Sequence, residues 1–174
     1  MIKTLNEELG RVSVDEYKEL EKLPVVVVAE NIRSLNNIGS LFRTADAFLI
    51  EGIYLCGISA TPPNKEIHKT ALGAELSVDW TYFESSVEAV KSLKEAGYTL
   101  IAIEQVHGSI MLDKFEVDKT KKYALILGNE VKGVSQEVVD LCDMAIEIPQ
   151  KGTKHSLNVS VANGVVLWHF SLKF

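Results

Sequence analysis

The chain has little of what marks several large functional classes. Only two cysteines, Cys56 and Cys142, occur among 174 residues. They lie far apart and outside any CxxC or metal-ligand spacing, which predicts two reduced structural thiols. The four histidines, His68, His107, His155 and His169, are scattered, and neither HxxxH nor HExxH occurs, so no metal site is expected. No apolar run approaches the roughly 18 residues that suggest a membrane span. The opening MIKTLNEELGRVSVDEYKEL lacks the apolar segment of a signal peptide. A cytoplasmic protein with no membrane attachment is therefore expected. GxGxxG and the GK[ST] ending of a P-loop are both absent, which removes support for a dinucleotide-binding Rossmann domain or a P-loop ATPase. Basic charge is also lacking. A net charge of −6 argues against non-specific nucleic-acid binding, although it leaves room for a local basic patch.

What is present is one ordinary domain. A hydrophobic fraction of 47% and a charged fraction of 24% suit a soluble globular chain long enough for a substantial core. The run VVVVA, Val25 to Ala29, predicts a strand covered on both faces. Further strands are expected at Gly52–Ile58, Val78–Tyr82, Tyr98–Glu104, Tyr123–Leu127 and in MAIEIP, which ends at Pro149. Helices are expected from Asn37 to Phe48, Gln136 to Leu141 and Asn158 to His169, and from a capping box at Ser85–Glu88 to Ala96, with Gly97 closing it. Residues 61–75 read as a loop with a short helix. A second capping box, Ser13–Glu16, starts a helix through Lys22 that Pro24 stops. Residues 1–22 thus form a short N-terminal helical extension, and 23–174 the main domain. Strands alternating with helices predict an α/β fold with a mainly parallel sheet flanked by helices.

In such sheets ligands collect beyond the carboxyl ends of the strands. Three polar, Gly-bearing segments fall there: NIRSLNNIGS, LGNEVKG and PQKGTKHSLN. The first opens a helix that Asn36 or Asn37 is expected to cap, leaving free N–H groups that favour an anion. Arg43, nearly two turns on, shares its polar face with Asn36 and Ser40. It reads either as a surface residue paired with Glu30 or Asp46, or as a phosphate-contacting or catalytic guanidinium. In the second, Gly128 and Gly133 permit tight turns, and Glu130 reads either as an exposed carboxylate at a helix N-terminus or as a site residue. In the third, Lys151, Lys154 and His155 supply positive charge, and Ser156 or Asn158 caps the last helix. That helix, NVSVANGVVLWHF, is apolar over too much of its circumference for one stripe. It is either central to the core or covered by another subunit, and a homodimer is expected.

The three segments together resemble the motifs of the SpoU family, also called the TrmH family, of RNA ribose 2′-O-methyltransferases. The first motif is Asn36-Asn-Ile-Gly-Ser-Leu-Phe-Arg43-Thr-Ala-Asp-Ala-Phe48, the second Gly128-Asn-Glu-Val-Lys-Gly-Val134, and the third runs from Ile148 to Ala162. The resemblance covers about Val25 to Trp168. It implies a C-terminal deep trefoil knot of the SPOUT type, S-adenosyl-L-methionine as cofactor, an RNA substrate and a homodimer whose site is assembled across the interface. It implies Gly128, Ile148 and Leu157 as cofactor contacts, with Glu104 as a further candidate. Arg43 is implied as the principal catalytic residue, with Asn37, Glu130, Ser156 and Asn158 around it. RNA contact would fall on Arg33, Lys65, His68, Lys69, Lys151, Lys154 and His155, with the Lys114–Lys122 run extending it. The shortness of the extension fits the smaller, tRNA-modifying members better than the rRNA-modifying ones. Two other readings are a non-catalytic RNA-binding module on the same scaffold and a small-molecule enzyme with a nucleotide-like ligand.

Overall fold

The valine run becomes the middle of the sheet because β-branched residues buried on both faces favour a central parallel strand. The structure, a computed structural model, describes all of Met1–Phe174 except the side chain of Asn6. Strand β1 (Leu23–Glu30) pairs in parallel with β2 (Ile50–Cys56) and β6 (Lys122–Leu127). With β3 (Trp80–Phe83), β4 (Tyr98–Ile103), β5 (Ile110–Met111) and β7 (Met144–Glu147), the sheet runs β3-β2-β1-β6-β4-β7-β5, parallel throughout. β6 inserts between β1 and β4, and β7 lies beyond β4. This crossing order fits the deep trefoil knot that the resemblance implies.

Alternation along β1 divides the core. Val25, Val27 and Ala29 pack with Ile38, Leu41 and Phe42 of α2 (Leu35–Ala47) and with Val166, Leu167 and Phe170 of α7 (Val159–Ser171). Val26 and Val28 face Ala89, Val90 and Leu93 of α5 (Ser86–Glu95) and Val138 of α6 (Gln136–Val139). No helix is long and apolar enough to cross a membrane among the described residues.

Several boundaries differ from expectation. α2 begins at Leu35, and its cap is Ser34, not Asn36 or Asn37: the Ser34 hydroxyl accepts the Asn37 N–H at 3.3 Å. Residues 61–77 hold two short helices, where one was expected within 61–75: α3 (Lys65–Ala71), capped by Asn64, and α4 (Ala74–Ser77). β5 has two exposed residues and leaves no sequence pattern. α1 (Val14–Glu19) has the full Ser13–Glu16 capping box but ends earlier than expected. Pro24 lies inside β1, at an irregularity in the pairing with β2 where its missing N–H is tolerated. The Lys22 ammonium instead ends α1 by bonding the Tyr17 and Leu20 carbonyls. The extension does not stand apart, because Tyr17 is buried in the main core.

α7 is central to the core on one side only. Asn163, Val166, Leu167 and Phe170 are buried. Val161, Val165, Trp168 and Leu172 form a bare stripe on the other side, with Trp168 55% exposed.

Candidate active site

Three loops meet at the carboxyl ends of β1, β6 and β7; the second and third of them, with the end of β4, line a cavity of about 600 Å³. The loop after β6 closes on itself. Asn129 N–H donates to the Gly133 carbonyl at 3.1 Å and Gly133 N–H to the Asn129 carbonyl at 2.8 Å. The Asn129 side-chain oxygen accepts from the N–H groups of Val131 (2.9 Å) and Lys132 (3.1 Å). Glycine is required twice. A Cβ on Gly128 would stand 2.0 Å from the Gly133 carbonyl carbon, and Gly133 has φ +69° and presses against Glu104. The Glu104 carboxylate accepts from Val134 N–H at 2.9 Å and Gln105 N–H at 2.8 Å, bracing the loop from the end of β4.

The loop after β1 is locked to the loop after β6. Glu130 accepts from the N–H groups of Arg33 and Ser34 and from the side-chain amide of Asn37, each at 2.9 Å. The anion expected at the α2 N-terminus is therefore a carboxylate of the chain itself. Partial burial pushes the Glu130 carboxyl up, but these three donors outweigh it and hold it below the ordinary value. Asn129 adds a bond from its side-chain amide to the Asn31 carbonyl at 2.8 Å. Buried Glu30 accepts from Ser135 N–H (3.0 Å) and Oγ (2.7 Å).

The third loop joins through Asn158. Its side-chain oxygen caps α7 by accepting from Ser160 and Val161 N–H, and its Nδ2 donates to the Asn37 Oδ1 at 3.1 Å. Glu130, Asn37 and Asn158 thus form one hydrogen-bonded run across all three loops. Ser156 is not the cap but lines the cavity, as do Glu104, Gly128, Glu130, Ile148, His155, Leu157 and Asn158. Gln105 Nε2 holds the His155 carbonyl at 2.7 Å. Sequence reasoning passed over Asn129 and Gln105. Asn129 had a signal, an Asn after Gly at a strand end, whereas Gln105 had none.

Arg43 is not brought to this cavity. It lies six residues beyond Asn37, about 9 Å along the helix axis, and lines a second cavity of about 580 Å³ beside the N-terminal extension. The surface pairing considered for it is not formed: Glu30 holds Ser135, and Asp46 accepts the Ser77 hydroxyl at 2.6 Å. Among the described residues the Arg43 side chain makes no hydrogen bond or ion pair.

The cations divide similarly. Arg33, Lys65, Lys151 and Lys154 are exposed and have no acidic partner among the described residues. His68 pairs with Glu75, and Lys69 with Glu66 at 2.7 Å, so both are already engaged. In the 114–122 run, Lys114 and Lys121 pair with Asp113 and Asp118. Among the described residues no group of three or more His, Cys, Asp or Glu side chains is arranged to hold a metal ion.

The sequence matches the SpoU rRNA Methylase family over residues 24–168. The tRNA (guanosine(18)-2′-O)-methyltransferase of Aquifex aeolicus strain VF5 is 32% identical over 156 residues, covering 88% of this chain and 71% of the relative. The 23S rRNA (guanosine-2′-O-)-methyltransferase RlmB of Neisseria meningitidis serogroup B is 29% identical, covering 88% and 60%. The chain spans about three fifths of the length of several curated relatives it matches. Among solved structures, the A. aeolicus TrmH/SpoU tRNA modifying enzyme superposes with a TM-score of 0.81 at 29% identity, over 92% of this chain and 80% of that one. The AdoMet-bound rRNA methyltransferase from Sinorhizobium meliloti gives 0.79 at 25% identity, over 88% and 59%. With the family match running from β1 through most of α7, and the three motif loops joined by hydrogen bonds beside one cavity, the chain belongs to the SpoU rRNA Methylase family.

Proposed function

We propose that the chain methylates the 2′-hydroxyl of a ribose in structured RNA, tRNA in preference to rRNA, with S-adenosyl-L-methionine as methyl donor. The observation that carries this is the Glu130–Asn37–Asn158 run, which ties the first motif loop to the two loops that line the cavity. The preference for tRNA rests on the likeness to the Aquifex enzyme, of which the chain covers the larger share.

The cavity suits the cofactor. About 600 Å³ lies in the range of small-molecule sites. Its walls include Leu127, Ile146, Ile148 and Leu157, which shed water from an apolar ligand part. Across residues 150–156 the His155 carbonyl alone has an intramolecular partner among the described residues, so the other backbone groups are available to a nucleoside. Gly128, Ile148 and Leu157 hold the ligand, and Glu104 keeps the Gly128–Gly133 loop in place. When bound, S-adenosyl-L-methionine supplies an electrophilic methyl group on a sulfonium centre.

Asn37, Glu130, Ser156 and Asn158 position the ribose at the mouth of this cavity. Arg43 orients an RNA phosphate and stabilises the negative charge that develops on the 2′-oxygen as its proton leaves. A guanidinium with a pKa above about 12 is a poor base, so fork geometry and charge are what it contributes. Since Arg43 lies away from its own chain's cavity, the partner subunit's Arg43 completes each site. The bare stripe of Val161, Val165, Trp168 and Leu172 supports that pairing, because Trp168 packs against Phe48 at the end of α2. Arg33, Lys65, Lys151, Lys154 and His155 contact the RNA backbone; His68 and Lys69 do so only if their ion pairs open.

Methyl transfer from radiolabelled cofactor to unmodified total tRNA and rRNA tests this, with Arg43→Ala as control. Label that resists alkaline cleavage and disappears in the variant is the expected result. Absence of both label and cofactor binding by calorimetry overturns the proposal.

A further inference from the structure

The second cavity lies where the N-terminal extension meets α2 and α4. Its polar lining includes Arg11, Tyr17, Arg43 and Asp46, and its apolar walls include Leu72 and Leu76. The function proposed above uses Arg43 but gives no role to Arg11 or Tyr17.

Three features mark this as a built site. Arg11 and Arg43 both lack a hydrogen bond or ion pair among the described residues, on a chain whose net charge is −6. Two unpaired guanidiniums on one cavity are a receptor for an anion with several oxygens. Next, Tyr17 is only 5% exposed, yet its hydroxyl has no partner. A buried hydroxyl without a partner is rare and destabilising, and a ligand that satisfies it recovers that loss. Its ring is fixed from outside by the Lys22 ammonium, 4.2 Å from the centroid. Burial, with Asp46 and Asp79 nearby, keeps the phenol protonated, so it is available as a donor. Finally, Asp46 gives one oxygen to Ser77 and keeps acceptor capacity for an N–H or hydroxyl of a ligand.

An anion receptor, a neutral donor, a carboxylate acceptor and leucine walls do not match a simple inorganic anion. They match a nucleotide: phosphate on the guanidiniums, a polar edge between Tyr17 and Asp46, and a base or ribose face on the leucines. We infer that this cavity is a subsite for a nucleotide of the RNA neighbouring the one that is methylated, clasped between the N-terminal extension and Arg43. The inference rests on the RNA-methyltransferase reading, and it makes the extension a part of substrate recognition.

The test uses the full chain, with Tyr17→Phe and Arg11→Ala, and reads affinity for fluorescently labelled unmodified tRNA by anisotropy. Thermal unfolding, cofactor calorimetry and light scattering are run on the same samples. Each variant should weaken RNA binding about tenfold, the scale of one well-placed polar contact, with cofactor affinity and oligomeric state unchanged. Tyr17→Phe should also raise Tm by about 2–4 °C, since it deletes an unsatisfied buried group. A hydroxyl with a structural role would lower Tm instead. Wild-type RNA affinity in both variants overturns the subsite, as does weakening that comes with a loss of dimer mass, which would make the cavity a seat for the partner chain. If wild type binds RNA through these residues but methylates none, the subsite stands and the proposed activity falls. If it methylates RNA and the variants bind normally, the subsite alone falls.

Discussion

Replacing Gly128 with alanine tests whether closure of the second loop builds the cofactor cavity. The new Cβ would lie 2.0 Å from the Gly133 carbonyl carbon and 2.1 Å from the Val134 nitrogen. Both are backbone atoms, so no side chain can swing aside, and the turn must open by roughly 1.5 Å to reach ordinary contact. Opening breaks the reciprocal Asn129–Gly133 hydrogen bonds. Each contributes about 1 kcal/mol net, and overpacking adds about 1–3 kcal/mol. Part of this relaxes into solvent, because Val131 at the loop tip is 77% exposed. At least about 2 kcal/mol should remain as a misplaced cavity wall, which is a rise of about 30-fold in the Kd for S-adenosyl-L-methionine by calorimetry. Gly152→Ala in the third loop is the matched control, since nothing lies within 4 Å of its Cβ, and its Kd should stay within about twofold of wild type. Wild-type affinity in Gly128→Ala, or equal loss in both variants, would refute the reasoning.

Acid should weaken the wild type more than Glu130→Gln. The folded carboxyl titrates below its ordinary value of 4.5, so its stabilisation is complete above that value and fades as pH falls through the lower folded pKa; parallel Tm curves from pH 7 to 3 would count against it. Arg43→Lys keeps the charge but loses the fork, and turnover should fall roughly 100-fold, with near-normal turnover ruling the role out. Trp168→Glu places a charge on the bare stripe of α7 and should yield a monomer by light scattering, with activity lost; a wild type that is already monomeric removes the basis for a shared site.

Legibility in the sequence followed the range of the interactions. β1 could be read because its β-branched run is local, and α1 because the Ser13–Glu16 box is local. The start of α2 was misplaced because the apolar rhythm begins at Ile38, while the chain turns helical at Leu35 under the Ser34 cap. β5 was invisible because its two exposed residues become a strand only by pairing with β7. The motifs pointed to Asn37, Glu130 and Asn158, which the structure joins by hydrogen bonds. They did not reveal that Glu130 reaches back across 97 residues to the Arg33 N–H and fills the helix N-terminus that looked open to an anion. Helical periodicity placed Arg43 on a face with Asn36 and Ser40 but could not say that Arg43 alone of the three would line a separate cavity beside the extension.

Net charge is the measure that misleads most. The count of −6 includes Glu30, Glu104 and Glu130, yet these carboxylates turn inward to N–H and hydroxyl donors of the loops and brace the site. At the same end of the sheet Arg33, Lys65, Lys151 and Lys154 are exposed, with no acidic partner among the described residues. The field met by a ligand at this end of the sheet is therefore more positive than the total suggests. If these four cations and Arg43 each meet a phosphate, RNA affinity should fall with salt at a log–log slope of about −4. Anisotropy titrations at several salt concentrations measure that slope directly. A slope near zero would mean that the RNA is held without its phosphates, and both the basic surface and the role given to Arg43 would have to be abandoned.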